Sequence, residues 1–195
     1  MGLTFIASKT APGDCNVTGE IRFVDGEDGV VFDNTYIEYQ FYFVNVHPAT
    51  QNVGLQFQVN DVDDPVASGG GFDASPIQST YFVSYNNEAG SDANLGYSSS
   101  YDLANAADSY QTLIHNIDNE AFDSCSGILT IYDPSSATYV KHFIGRLQGT
   151  HHNAEYSMEA RSAGYINDPT AIDEINFKFS SGNIDLGTIY MYGVS

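Results

Sequence analysis

Tryptophan is missing from this chain of 195 residues, cysteine occurs only twice, and 6 lysines and arginines stand against 25 aspartates and glutamates. The scarcity of cations excludes the most. Six scattered basic side chains cannot build a groove that tracks phosphates, so nucleic acid is not an expected partner. An anionic membrane surface is disfavoured for the same reason, and no apolar run is long enough for a transmembrane helix. The segment Met1-Gly-Leu-Thr-Phe-Ile-Ala-Ser-Lys9 lacks a basic region before a long apolar one and has Ile6 where a myristoylation signal wants Ser or Thr. Neither a secretory signal nor a lipid anchor is therefore expected. Cys15 and Cys125 lie far apart and form no Cys-x-x-Cys arrangement; they can pair only if the fold brings them together, and two half-buried thiols are the simpler reading. The triplet Asn16-Val-Thr18 carries no weight without a secretory signal.

A helical stripe of period 3.6 is also missing, with Ser100–Ser109 the best candidate for a short helix. What fills the sequence is alternation of period two. Candidate strands are Leu3–Ala7, Asn16–Phe23, Tyr36–Val46, Val53–Val59, Ser79–Tyr85, Tyr110–Ile117, Ser126–Tyr132, Tyr139–Leu147, Tyr156–Tyr165, Glu174–Phe179 and Thr188–Gly193. Turn clusters such as Asp25-Gly-Glu-Asp-Gly29, Ser68-Gly-Gly-Gly71 and Asp133-Pro-Ser-Ser136 separate them. The expected fold is all-β: one antiparallel β-sandwich domain over residues 1–195, large enough for a substantial core. In the strongest strand Ile37, Tyr39, Phe41 and Phe43, with Asn45 at its end, share a core face, and Val46-His-Pro-Ala-Thr50 reads as a compact turn after it. In the next, Val53, Leu55, Phe57 and Val59 point inward and Gln56 and Gln58 outward. The last 25 residues read as a β-hairpin, turning at Ser180-Ser-Gly-Asn183.

Tests for chemistry return little. A glycosidase pair needs one acid buried to raise its pKa, whereas nearly all acidic residues sit in turn clusters, so no enzyme is expected. His151 and His152 are adjacent, with His142 upstream, and neighbours on a strand point to opposite faces; a polar loop or subunit-contact role is the simpler reading than a metal site. Asp61, Asp63 and Asp64 can offer oxygens to Ca²⁺, but they do not match a twelve-residue EF-hand loop and read more simply as a solvated turn. No Gly-x-Ser-x-Gly or phosphate loop occurs, and no cofactor is expected. One cluster suits recognition. Tyr81, Tyr85, Tyr97, Tyr101 and Tyr110 fall within a region rich in Gly, Ser and Asn, a composition suited to sugar stacking or a protein interface if they are not simply core residues.

Several stretches share a pattern beyond periodicity: Leu3-Thr-Phe-Ile-Ala-Ser-Lys9, Val31-Phe-Asp-Asn-Thr-Tyr-Ile-Glu-Tyr39, Val46-His-Pro-Ala-Thr50, Cys125-Ser-Gly-Ile-Leu129, Tyr139-Val-Lys-His-Phe143 and, most specific, Phe179-Ser-Ser-Gly-Asn183 followed by Gly187-Thr-Ile-Tyr-Met-Tyr-Gly193. Together they resemble small jelly-roll structural proteins of tailed bacteriophages, seen especially among viruses of marine bacteria and cyanobacteria. The resemblance implies a jelly-roll β-sandwich, commonly a homotrimer, carried on the virion and assembled in the host cytoplasm. Its implied partners are sister subunits and the major capsid protein or another virion protein. It suits a capsid decoration (cement) protein, with a receptor- or carbohydrate-binding module of a tail fibre or baseplate as the alternative. No catalytic residue comes with it. The expected contact residues are Tyr81, Tyr85, Tyr97, Tyr101, His151 and His152.

Overall fold

The alternation resolves into thirteen strands in a computed structural model of the chain, which describes residues 2–63, 75–151 and 156–195. They are β1 (Leu3–Thr10), β2 (Ile21–Val24), β3 (Glu38–Pro48), β4 (Val53–Asp61), β5 (Ile77–Asn87), β6 (Ala93–Tyr97), β7 (Ala104–Ala106), β8 (Gln111–Ile117), β9 (Cys125–Tyr132), β10 (Lys141–His151), β11 (Tyr156–Ile166), β12 (Ile172–Phe179) and β13 (Ile184–Val194). All pairings are antiparallel, and no helix occurs among the described residues.

The sheet runs β1-β13-β3-β9-β10-β8-β4-β12-β2, while β11 continues from the other side of β10 to β5, which carries β6 and β7. Between β10 and β8 a single register pair, His151 with Ile117, holds the ladder together. The sheet therefore folds back at that point into a larger arm, β1-β13-β3-β9-β10-β11-β5 with β6 and β7, and a smaller arm, β8-β4-β12-β2. The result is a nearly closed, barrel-like body. Aromatic rings join the arms: Phe23 on β2 lies 5.4 Å from Phe41 on β3, Phe177 on β12 lies 5.1 Å from Phe43, and Phe57 on β4 meets Phe143 on β10 at 5.1 Å. These contacts are edge-on, the arrangement that ring quadrupoles favour, and each ring contributes about 1.5–3 kcal/mol by burial.

The terminal run is not a hairpin. β12 pairs with β2 and β4 in the smaller arm, whereas β13 pairs with β1 and β3 in the larger one. The turn is where expected, with Gly182 at φ 71°, but it carries the chain across the core instead of back along the same sheet. Both strands have an apolar face, Phe177 and Phe179 on one and Ile189 and Met191 on the other, and placing them on opposite arms buries both against one core.

Other expectations shift locally. Tyr39, Phe41 and Phe43 are core, but Ile37 precedes β3 and is 69% exposed, and a bulge after Phe43 puts Asn45 at φ 50° on the surface and Val46 inside. β3 continues through His47 and Pro48, so the turn falls at 49–52, with Asn52 in the left-handed region. Of the Asn16–Phe23 candidate only residues 21–23 are strand, within β2, and Ser100–Ser109 holds turn residues and the short β7, not a helix. Gln58 faces away from the core yet is buried, donating to the Ser109 carbonyl at 2.9 Å. Both cysteines are free thiols; Cys15 is half-buried, but Cys125 is fully buried against the Val46 carbonyl.

Candidate functional site

Where the arms meet, β8 places a histidine in the apolar stretch Leu113-Ile-His-Asn-Ile117. The His115 ring stacks on Tyr101 at 4.1 Å, and its Nδ1 lies 2.7 Å from the hydroxyl of fully buried Tyr81 on β5. Burial, with help from neighbouring His151, lowers the His115 pKa to about 4, so at neutral pH the ring is uncharged and Nδ1 can accept the Tyr81 proton. Burial likewise raises the Tyr81 pKa, keeping the phenol protonated.

The belt continues outward. Asn116 takes the left-handed conformation (φ 53°), which Asn tolerates better than most residues. Its amide Nδ2 lies 3.1 Å from Nε2 of His151, and its Oδ1 accepts the Tyr101 hydroxyl at 3.4 Å. His151 meets Tyr156 edge-on at 5.5 Å, and Tyr156 meets Tyr85 at 5.4 Å. Tyr156 donates to Asp92 at 2.7 Å. Six rings from β5, β8, β10, β11 and the segment before β7 thus form one continuous strip.

A cleft of about 590 Å³ opens beside its outer end, lined by Asn86, Glu88, Glu120, Gln148 and Tyr156 among others, with Phe122 80% exposed at its rim. Carboxylates and amides that bond hydroxyls, next to exposed aromatic faces, suit a hydroxylated or cationic ligand.

Of the expected contact residues, Tyr81, Tyr85, Tyr101 and His151 come together in this strip. Tyr97 lies apart on the outer face of β6, donating to Asp102, and Tyr110 sits under Lys178, 3.9 Å from its Nζ. His152 and Asp64 fall outside the described residues. Asp61 is a buried end of β4 and not part of a solvated turn; its Oδ1 accepts the Asp63 amide at 2.9 Å. Among the described residues no group of three or more His, Cys, Asp or Glu side chains is arranged to hold a metal. His115, Asn116 and Tyr156 were missed as site residues; a lone histidine inside an apolar strand was the available signal for the first.

The expectation that nearly all acids sit in turn clusters has an exception at the smaller arm. Glu174 on β12 is 5% exposed and its pKa is raised, by burial first, although Arg22 opposes the shift from 3.6 Å. Arg22 also lies 3.5 Å from Glu20, whose pKa ends below the ordinary carboxyl value because bonds from Asn16, Asn176 and Thr18 outweigh desolvation. This polar seam joins β2 to β12. Comparison of the chain with protein-family models, with curated proteins and with solved structures finds no match.

Proposed function

We propose that this chain is a non-enzymatic structural protein of a tailed-phage virion, a jelly roll that assembles as a trimer and decorates the capsid exterior by binding the major capsid protein. The observation that carries the reading is the strand order. A jelly roll winds eight strands into two four-stranded sheets, with the first strand beside the last. The segments β1-β13-β3-β9 and β2-β12-β4-β8 are in keeping with that winding, each arm taking strands from both ends of the chain. On this reading β5–β7 and β10–β11 are two insertions that widen the larger arm beyond β9. The resemblance of Phe179–Asn183 and Gly187–Gly193 to phage jelly rolls adds support, since the first forms the corner between the arms and the second lies in β13.

The test is reconstruction of purified virions with a bound antibody fragment raised against this chain. Density over the capsid in groups of three is expected; labelling of neither capsid nor tail refutes the reading. Labelling confined to the tail favours a second one, a carbohydrate-binding module, for which the cleft beside Phe122 and Tyr156 speaks. Glycan-array binding lost in Phe122→Ala is its expected signature.

A further inference from the structure

The outer face of the larger arm is balanced in charge among its strand residues. Register places Tyr190, Tyr42, Ile128, Arg146, Arg161 and Phe82 in one row across six strands. The neighbouring row brings Tyr192 beside Phe5, rings 5.7 Å apart, and continues to Ile144. Nothing in the fold covers these side chains: Phe5 is 55% exposed, Ile144 52% and Tyr97, at the far edge, 58%. The charged strand residues pointing this way are Glu38, Arg146, Glu159 and Arg161, and they cancel. Glu159 accepts from Nε of both arginines at 2.7 Å, so three of the four are also mutually bonded. The strand residues of this face therefore contribute none of the chain's net charge of −19.

We infer that this face is the surface through which copies of the chain contact one another. The inference rests on the proposed trimer and says which surface forms it. Two copies meeting through their acidic turns bring like charge against like charge, whereas here the strand charges balance and aromatic and aliphatic surface is removed from water. Seven strands at about 4.8 Å spacing, over about six residues of rise, give roughly 700 Å² per copy, which a three-fold assembly divides between two neighbours. Tyrosine and arginine, frequent in the energetic centres of interfaces, hold the middle row.

The experiment is light scattering coupled to size-exclusion chromatography, with sedimentation equilibrium, on the whole chain. An oligomer is expected at about 100 µM. Its dissociation constant should fall roughly tenfold between low and high salt as repulsion among the acidic surfaces is screened. The double variant Tyr42→Glu with Ile144→Glu should be monomeric, with an unchanged near-ultraviolet circular dichroism spectrum in the core region. Val17→Glu, at a fully exposed apolar residue off this face, should assemble like the wild type. A wild-type monomer at that concentration overturns the inference, as does a folded double variant that still assembles. The virion reading stands or falls separately. Capsid labelling by a monomeric chain would sink the face and the trimer but leave the capsid location, whereas an oligomer broken by the double substitution in a protein that labels no virion would sink only the virion assignment.

Discussion

Acidification should weaken this protein through His115 well before its lowered carboxylates begin to titrate. The imidazole is 9% exposed, stacked on Tyr101 and bonded to Tyr81; its folded pKa is about 4, against about 6.5 for a free histidine. A depressed folded pKa means that the unfolded chain binds the proton more tightly. The associated stability is fully present above about pH 6.5 and is lost as pH falls toward about 4. The whole effect is about 3 kcal/mol, and about 2 kcal/mol of it is gone by pH 5. Lowered carboxyl groups such as Glu20 and Glu159 act below this window. His47 acts in the opposite sense, because its folded pKa is raised and its contribution fades as pH rises. Urea unfolding at about pH 7 and pH 5, followed by tyrosine fluorescence, measures the loss. His115→Phe keeps a ring against Tyr101 and lowers stability at neutral pH by about 1–2 kcal/mol by orphaning the Tyr81 hydroxyl. It should also remove the histidine-dependent loss on acidification. Equal losses in wild type and variant would refute the reasoning, as would direct titration of the His115 ring near the ordinary value by NMR.

Three further outcomes follow from other parts of the fold. Burial pulls the His47 pKa down, but its bonds to Asp185 and the Glu120 carbonyl more than offset this, so Asp185→Asn should cost about 1 kcal/mol at pH 6 and less at pH 8, by chemical denaturation; Asp185 is 42% exposed, which keeps the figure small. At Gly187, φ is 107° and a Cβ would lie 2.5 Å from the Asn45 carbonyl oxygen; Gly187→Ala should therefore lower stability by roughly 3 kcal/mol, read as a drop in melting temperature. Burial raises the Cys125 thiol to about 12 whereas Cys15 is only half-buried, so a thiol reagent should titrate one group in the native protein and two in denaturant.

The strands themselves were legible because a half-buried strand writes its two faces into every second residue. Eleven strands were expected, and each has a counterpart in the structure. The two unexpected ones, β6 and β7, are short and mostly exposed, so no apolar face marks them. Pairing is a different matter. The terminal run has good strands and a good turn, which is how a hairpin reads, yet its strands join different arms. Alternation states that each strand has an apolar face; it does not state which sheet that face is turned from. A corner and a hairpin share the same local sequence, and only the competition among all strands for the core decides between them.

The site was half legible for a related reason. Tyrosine clustering pointed to the right region, but sequence distance cannot separate the two faces of β5: Tyr81 and Tyr85 turn inward to the histidine strip, while Phe82 turns outward to meet Tyr97 across the β5–β6 ladder. The same limit hid the neutral face. Glu38, Arg146, Glu159 and Arg161 are spread over more than 120 positions of an acidic chain, and nothing local distinguishes them from other surface charges. Once β3, β10 and β11 lie in one sheet, every outward residue between them must come from the same alternation that buries Phe41, Leu129 and Phe143 on the reverse side. Choosing the core face therefore chose the outer face as well. That outer face mixes aromatic and aliphatic side chains with polar ones, and its strand charges balance. An acidic chain that only had to stay dissolved would have no reason to keep Phe5, Tyr42, Ile144 and Tyr192 together on a broad surface whose strand charges do not repel its own copy.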